Sequence, residues 1–401
     1  MHSSKNIIGT KGRELESRRI ALCVCGSVAA VKSPELAREL MRHGAEVVPV
    51  MSEAAKEIIR PELMHWATGN PIITKLTGDV EHLKLCGRHR ERVDLVVVAP
   101  ATASTIGKLA NGIDDNPVTT ILTTALGSGV PILFAPAMHL SISDNKIVKD
   151  NIRKLGSLGV EFVDPDSSEG KAKMASVDRI AALAIRMLYT KNMRGKKVLV
   201  TAGATREYID DIRFISNPSS GRMGTETARE AYLRGADVLL IHGHVDVEIP
   251  AYMRSRYAES TEDMYKEVIA NVRKSDVVVL AGAPSDFAPV RRKGKVHARG
   301  ELHLTLRTLP KISDAVKKVK SDVKLILFKA ESGVDDDKLR EIAVKKLKEA
   351  RADMILANDV GKKGVGFVSE SNEVLLIKAD GSCRKIKGRK SEIAKAIFDC
   401  L

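Results

Sequence analysis

Aromatic residues are scarce in this chain, at 7 Phe, 6 Tyr and 1 Trp among 401 residues, or 3%. Its cores must therefore be built from Val, Ile, Leu and Ala. Cysteine is also sparse. Cys23, Cys25, Cys86, Cys383 and Cys400 are too few and too scattered for a disulfide framework, and without a CxxC pair a zinc ribbon has no support. Cys23 and Cys25 alternate within an apolar run, which puts both on one face of a buried strand. No apolar stretch is long enough to span a membrane; the richest, Val118–Leu140, is interrupted by Thr, Ser, Gly and Pro. Residues 1–18 are polar and lack the apolar segment of a signal peptide, so they read as a disordered leader. These absences point to a cytoplasmic protein with reduced thiols and no membrane partner.

What is present is an ordinary globular composition, 44% apolar and 29% charged, on a chain long enough for two or three domains. Lys and Arg number 65 against 51 Asp and Glu, a net charge of +14. Residues 1–190 hold 24 basic and 21 acidic side chains, so most of the excess lies in 191–401, with 41 and 30. Charge alone would allow a nucleic-acid partner, but no basic tract interleaved with aromatics supports one, so none is expected.

Short β-branched runs alternate with amphipathic stretches, the pattern of βαβ units around a parallel sheet. Strands are expected at Arg19–Cys25, Ala45–Val50, Asp94–Ala99 and Ile132–Ala135, with helices at Ser33–Arg42, Ser52–Ile59 and Val177–Tyr189. The basic stretch Lys191–Lys197 reads as a linker. Strands are then expected at Lys197–Thr201, Asp237–Ile241, Asp276–Ala281, Glu301–Thr308, Val323–Phe328, Asp353–Ala357 and Asn372–Lys378, with helices at Gly224–Arg234, Asp336–Ala350 and Lys390–Phe398. The fold class is α/β, as two doubly wound, mainly parallel-sheet domains over 19–190 and 191–401.

Each domain opens with a strand that runs through a Gly-containing turn into a helix. Gly26-Ser27 is one such turn; its backbone N–H groups, with the Ser27 hydroxyl, suit an anion. It is not GxGxxG, so a dinucleotide-dependent reductase has no support. The second turn, Thr201–Glu207, continues into Asn217-Pro-Ser219-Ser220-Gly221-Arg222, with Arg206 and Arg213 nearby. Small residues, N–H donors and fixed positive charge are what a triphosphate site needs. The GK[ST] of a Walker A loop is missing.

Residues 201–224, TAGATREYIDDIRFISNPSSGRMG, closely resemble the signature of phosphopantothenate–cysteine ligases. CGSVAAVKSPEL (25–36), PATASTIGKLANGIDDN (100–116) and PAMH (136–139) resemble the motifs of flavin-dependent cysteine decarboxylases. The order, decarboxylase then ligase, matches the bifunctional coenzyme A biosynthesis family, and the resemblance covers nearly all of the chain after residue 18. It implies a flavodoxin- or Rossmann-like flavoprotein domain and, after it, a Rossmann-like ligase domain.

In the first half the resemblance implies FMN at Gly26, Ser27, Ser52, Ala101 and Thr102, His82 as the catalytic base, and substrate contacts from Asn111, Met138 and His139. His139 stands where the family usually has Asn. The flap corresponding to Pro165–Ser176 lacks the family's proton-donating cysteine, and Cys86 is a conceivable but weaker substitute. An active ligase with an impaired flavin domain is therefore the alternative reading. In the second half it implies CTP-dependent ligation of cysteine to 4′-phosphopantothenate through an acyl-cytidylate, assisted by Mg2+ or another divalent cation. Asn217 and Lys295 carry the catalytic roles and Arg206 a substrate role. CTP contacts map to Ser219, Ser220, Gly221, Leu280, Ala281, Gly282, Asp286, Lys295, Phe328 and Lys346. A second family lysine is Ala350 here, with Arg351 adjacent, and the lysines after Lys295 are replaced by His297 and Ala298. Homo-oligomers, with decarboxylase trimers and ligase dimers, are implied as well.

Overall fold

The two apolar runs DLVVVA and DVVVLA each become the interior of a parallel sheet. The computed structural model describes residues 2–168, 171–297, 300–361, 366 and 369–401. The chain divides into two units, Met1–Tyr189 and Thr190–Leu401.

In the first unit, β1 (Arg19–Val24), β2 (Glu46–Met51), β3 (Leu95–Ala101) and β4 (Ile132–Pro136) form a parallel sheet in the order β2-β1-β3-β4. After β4 the short β5 (Met138–His139) leaves this sheet, and β6 (Glu161–Phe162) extends it beside β4. All seven residues of β3 are buried, because helices cover both faces. Each fully buried Val or Leu contributes about 1.5–3 kcal/mol. The helices are α1 (Ser33–Arg42), α2 (Glu53–Lys56), α3 (Pro61–Thr68), α4 (Glu81–Cys86), α5 (Ala103–Ala110), α6 (Pro117–Ser128), α7 (Leu140–Ser143), α8 (Lys146–Ser157) and α9 (Val177–Leu188). Cys23, Cys25 and Cys86 join one aliphatic core. β8 (Lys171–Lys173) pairs antiparallel with both β5 and β7 (Asp166–Ser168).

In the second unit, β9 (Lys197–Ala202) precedes the hairpin β10 (Arg206–Tyr208) and β11 (Phe214–Ser216), then come α10 (Arg222–Leu233), β12 (Asp237–His242), β13 (Ser255–Tyr257), α11 (Thr261–Val272) and β14 (Val277–Leu280). A second hairpin, β15 (Phe287–Pro289) and β16 (Leu306–Thr308), precedes α12 (Ile312–Val319), β17 (Lys324–Glu331), α13 (Asp336–Ala350) and β18 (Met354–Asp359). The chain closes with β19 (Ser371–Lys378), β20 (Cys383–Arg389) and α14 (Lys390–Asp399). The sheet order is β13-β12-β9-β14-β17-β18-β19-β20, parallel through β18 and antiparallel at β19 and β20. In each unit the chain leaves its first strand to one side and later returns on the other. The switch points lie between β1 and β3, and between β9 and β14, where ligands bind in open α/β sheets.

Four expectations need correction. The leader is ordered: Ser3–Ile7 is a 3-10 helix and Leu15 is fully buried. Backbone N–H groups of Gly9 and Leu15 donate to the carbonyls of Met41 and His43 at the end of α1, at 3.1 and 2.9 Å, and Lys11 pairs with Glu39 at 2.7 Å. The helix expected over Ser52–Ile59 is only Glu53–Lys56. Lys191–Lys197 is no free linker: Met193 is buried and Asn192 donates to the carbonyl of Phe398 at 3.0 Å. Of Glu301–Thr308 only Leu306–Thr308 forms a strand, because only those residues find a partner, in Phe287–Pro289. The polar strand β20 went unread, since CRKIKGR carries no apolar alternation.

Candidate active sites

At the first switch point, three adjacent strands deliver the flavin candidates to one end of the sheet. Gly26 and Ser27 lie just past β1, Ser52 just past β2, and Ala101 ends β3 with Thr102 next. Their hydroxyls act as helix caps. Ser27 accepts from the Ala29 N–H (3.4 Å), Ser52 from Ala55 (3.3 Å), and Thr102 from Thr105 (3.3 Å). The Gly26-Ser27 turn opens a 3-10 helix, Val28–Lys32, that leads into α1. The Ser33 hydroxyl donates to the carbonyl of Ala99 (2.9 Å), tying that turn to β3. A Cβ at Gly26 would lie 2.4 Å from Ala54 Cβ, so the turn admits no larger residue. Val28 and Val31 stay exposed beside it.

His82 sits in the first turn of α4. That helix starts from Val80, a β-branched residue held in the left-handed region at φ 49°, a costly conformation. Thr77 donates its hydroxyl and N–H to Glu81 and holds that carboxyl down to about 2. The His82 Nδ1 atom is buried and has no partner among the described residues. Met138 is half-buried against the core and His139 is exposed, both on β5. Asn111 caps the end of α5, donating to the carbonyl of Gly107 at 2.8 Å. In the Pro165–Ser176 flap, Glu169 and Gly170 lie outside the described residues. Cys86 is wholly buried and burial pushes its thiol up to about 12; Cys25 rises to about 11 for the same reason, partly offset by the Thr105 hydroxyl at 3.2 Å. Both are packing thiols.

In the second unit the switch point opens into a cavity of about 730 Å3. Nine sequence candidates line it: Asn217, Ser219, Gly221, Leu280, Ala281, Gly282, Asp286, Phe328 and Lys346. Gly221 takes φ 74° and starts α10 without a side-chain cap, which leaves the first-turn N–H groups uncapped by a side chain, an arrangement that suits an anion. Gly224 lets α10 lie close on β9: a Cβ there would stand 2.5 Å from the carbonyl oxygen of Thr201. The Asn217 amide donates to the carbonyls of Ala283 and Pro284, both at 3.2 Å. Ser285 is pinned by its N–H, which donates to the hydroxyls of Thr205 and Thr261, while its own Oγ is buried with no partner among the described residues. Lys346 of α13 pairs with Asp314 of α12 at 2.8 Å. Burial opposes ionisation of Asp314, but hydrogen bonds from Lys346 and Ser313 outweigh it and lower that carboxyl.

Three candidates do not line this cavity. Ser220 is buried in the loop. Arg206 stacks on Phe214, its guanidinium 4.6 Å from the ring centre. Lys295 is exposed on a loop pinned by Asp211, which accepts from Gly294 N–H (2.9 Å), and Asp210, which accepts from Val296 N–H (3.0 Å). Ala298 lies outside the described residues. Ala350 is a core residue and Arg351 is the left-handed cap of α13, and neither lines this cavity. Lys345, Lys311 and Lys390 line the cavity instead, with Asn358 and Asn372. These five went unnoticed in the sequence because they sit in elements remote from the signature. Among the described residues no three His, Cys, Asp or Glu side chains gather to hold a metal ion, and no helix is long and apolar enough to cross a membrane.

Two family models together match nearly the whole chain. One, described as "Flavoprotein", matches residues 8–189, and the other, "DNA/pantothenate metabolism flavoprotein C-terminal domain", matches 193–401. The chain is similar to curated proteins called coenzyme A biosynthesis bifunctional protein CoaBC. It is 47% identical to that of Thermococcus kodakarensis over 100% of this chain and 98% of the relative. For Methanocaldococcus jannaschii the figures are 33%, 100% and 97%, and for Bacillus subtilis 33%, 93% and 93%.

Proposed function

Because the chain belongs to the family of bifunctional coenzyme A biosynthesis proteins, we propose that residues 191–401 ligate cysteine to 4′-phosphopantothenate at the expense of CTP, and that residues 19–190 decarboxylate the product to 4′-phosphopantetheine with FMN. The observation that carries the ligase reading is the cavity at the β9/β14 switch point, where nine residues of separate motifs meet.

In the ligase reaction a substrate carboxylate attacks the α-phosphate, pyrophosphate leaves, and the cysteine amine displaces CMP from the acyl-cytidylate. Negative charge grows around the α-phosphate, so preorganised donors stabilise the transition state. The open N–H groups at the start of α10 and the Lys346 ammonium supply them, and Asn217, fixed by two carbonyls, orients the acyl group. Asp286 and Phe328 take the nucleoside. A divalent cation would enter bound to the triphosphate, as Mg2+ usually does. Lys295 and Arg206 lie off this cavity and would act from their loop and hairpin. Pyrophosphate release, measured with 4′-phosphopantothenate, cysteine and either CTP or ATP, tests the assignment: release with CTP is expected, and none with either nucleotide would sink it.

In the first unit the residues fit a flavin phosphate: a glycine with no room for a Cβ, beside hydroxyl-bearing caps at three adjacent strand ends. Gly26, Ser27, Ser52, Ala101 and Thr102 would hold it. A flavin held there would supply reversible two-electron chemistry, accepting electrons from the cysteinyl thiol so that loss of CO2 is facile and returning them to the decarboxylated product. His82, with its unpartnered Nδ1, takes the proton. His139 binds the substrate carboxylate by hydrogen bonding in place of the usual Asn, and Asn111 and Met138 border it. The flap without cysteine favours a second reading, a ligase whose flavin half is impaired. A yellow protein that takes phosphopantothenoylcysteine and releases neither CO2 nor phosphopantetheine would establish that alternative. Five unpaired cysteines agree with a reducing, cytoplasmic setting. Self-association, through trimers of the first unit and dimers of the second, is expected in sedimentation.

A further inference from the structure

Thr205 lies in the signature stretch after β9, Thr261 opens α11, and Ser285 follows β14, so the sequence spreads these three hydroxyl-bearing residues over unrelated elements. The fold buries them together. The Ser285 N–H donates to the Thr205 hydroxyl at 3.0 Å and to the Thr261 hydroxyl at 3.1 Å, and the two hydroxyls lie 2.8 Å apart. The Ser285 carbonyl stands 3.2 Å from the Thr261 hydroxyl. A carbonyl can only accept, so Thr261 donates to it, which leaves Thr205 to donate to Thr261. Both backbone groups of Ser285 are thereby fixed by two hydroxyls. Thr261 is itself anchored, because its N–H donates to the buried Glu207 carboxylate at 2.8 Å. The first turn of a helix favours an anion at that place.

The segment held in this way joins two groups of the ligase site. The Ala283 N–H donates to the carbonyl of Gly203 at 2.7 Å, and the Ala283 and Pro284 carbonyls accept from the Asn217 amide. The Asp286 carbonyl accepts from the Leu309 N–H at 2.9 Å. Pro284 has no N–H, so every backbone polar group from Ala283 to Ser285 is bonded to another part of the chain. Asn217 and Asp286 therefore keep a fixed separation across this segment. Packing alone does not call for threonine at 205 and 261. Valine has a similar shape and no hydroxyl to desolvate, so what the hydroxyls add is the position of the segment.

We propose that Thr205 and Thr261 are positioning residues of the ligase: through Ser285 they hold the Ala283–Asp286 segment, and so set the spacing between Asn217 at the acyl group and Asp286 at the nucleoside. The inference rests on the ligase reading given above, and it adds two residues that act through a loop and not on the substrate. Misplacing a reacting group by about 1 Å can cost about 10²-fold in rate. Losing one of these hydroxyls should therefore affect turnover more than folding. The test compares the full chain with Thr261→Val, Thr261→Ser and, as a control, Thr227→Val. Thr227 is also fully buried, but its hydroxyl donates within α10, to the carbonyl of Met223 at 2.8 Å. Steady-state pyrophosphate release gives kcat and KM for CTP, at a temperature where circular dichroism shows each protein folded.

Thr261→Val should lower kcat by about tenfold or more, because the Ser285 carbonyl loses its donor and the segment shifts. Thr261→Ser keeps the hydroxyl and should stay within about threefold of the parent, and Thr227→Val within about twofold. A merely structural threonine would lower the unfolding midpoint and leave kcat of the folded protein unchanged. Parental kcat in Thr261→Val, or an equal loss in Thr227→Val, would overturn the proposal and leave the ligase reading standing. If the unmodified protein releases no pyrophosphate with CTP or ATP, the ligase reading fails and the proposal falls with it. Should circular dichroism show Thr261→Val unfolded, Thr205→Val carries the same comparison.

Discussion

Replacing Gly224 by Ala should loosen α10 from β9 and damage the ligase without touching the flavin half. A Cβ at that position meets the Thr201 carbonyl oxygen at 2.5 Å, Ala202 Cβ at 2.6 Å and Ala202 Cα at 2.8 Å. An ordinary contact begins near 3.4 Å, so the helix must retreat by about 0.9 Å, and the obstacle is backbone that cannot swing aside. Overpacking of this kind costs about 1–3 kcal/mol. Helix propensity returns at most about 1 kcal/mol for Gly to Ala. A net loss of about 1–2 kcal/mol in a unit of this size lowers its midpoint by roughly 2–8 °C. The same retreat displaces the open N–H groups of α10, so KM for CTP should rise. Scanning calorimetry of the full chain, with pyrophosphate release and decarboxylation measured in parallel, reads each consequence. Gly127→Ala is the control: this exposed glycine within α6 has nothing within 4 Å of a Cβ, and the change should stabilise by about 0.5–1 kcal/mol. A Gly224→Ala protein as stable as its parent would refute the reasoning, as would equal damage from Gly127→Ala.

Three further outcomes concern other parts of the chain. Burial opposes ionisation of Glu39, but hydrogen bonds from His43 and Lys11 hold its carboxyl down to about 2, so the stability it adds is present above the ordinary glutamate range and lost as pH falls from about 4.5 toward 2. Glu39→Gln should flatten that part of the first unit's acid denaturation curve, and an unchanged curve would disprove the link. Arg234, 1% exposed, joins α10 to α14 through Glu230 (2.6 Å) and Asp399 (2.7 Å); Arg234→Met leaves Glu230 buried without it and should cost about 3 kcal/mol in urea unfolding. His82→Ala should slow decarboxylation by about 10²–10⁴-fold and leave pyrophosphate release intact, and loss of both activities would mean that the substitution acts through folding.

The parts of the fold that were legible are those whose signal is local. Asp94–Ala99 and Asp276–Ala281 announced buried parallel strands because burial on both faces removes every polar residue. Helix α13 was read to its two ends because its apolar positions Leu339, Ala343 and Leu347 recur at helical spacing. The ordered leader was not legible, since it is held by backbone bonds to α1 and by one leucine, neither of which leaves a periodic trace. Strand β20 escaped for the opposite reason: as an edge strand beside β19 it keeps charged, exposed side chains that read as loop.

The candidate sites divide along the same line. Residues within a few positions of a strand's end, such as Gly26, Ser52 and Asp286, could be placed at a sheet's carboxyl edge from sequence, because topology fixes where a strand stops. Residues brought by topology from far along the chain could not. Lys345 sits beside a lysine that the resemblance selected, yet nothing in the sequence ranks it above its neighbours on α13. Lys390 lies 168 residues beyond Arg222. It comes after a strand that reads as a loop and opens a helix where a cation is disfavoured. That last conflict is a local signal, and it can be read from sequence once the helix start is known. Most of the +14 net charge lies in this half, and part of it, Lys311, Lys345, Lys346 and Lys390, is drawn by topology from separate stretches of chain to the lining of one cavity.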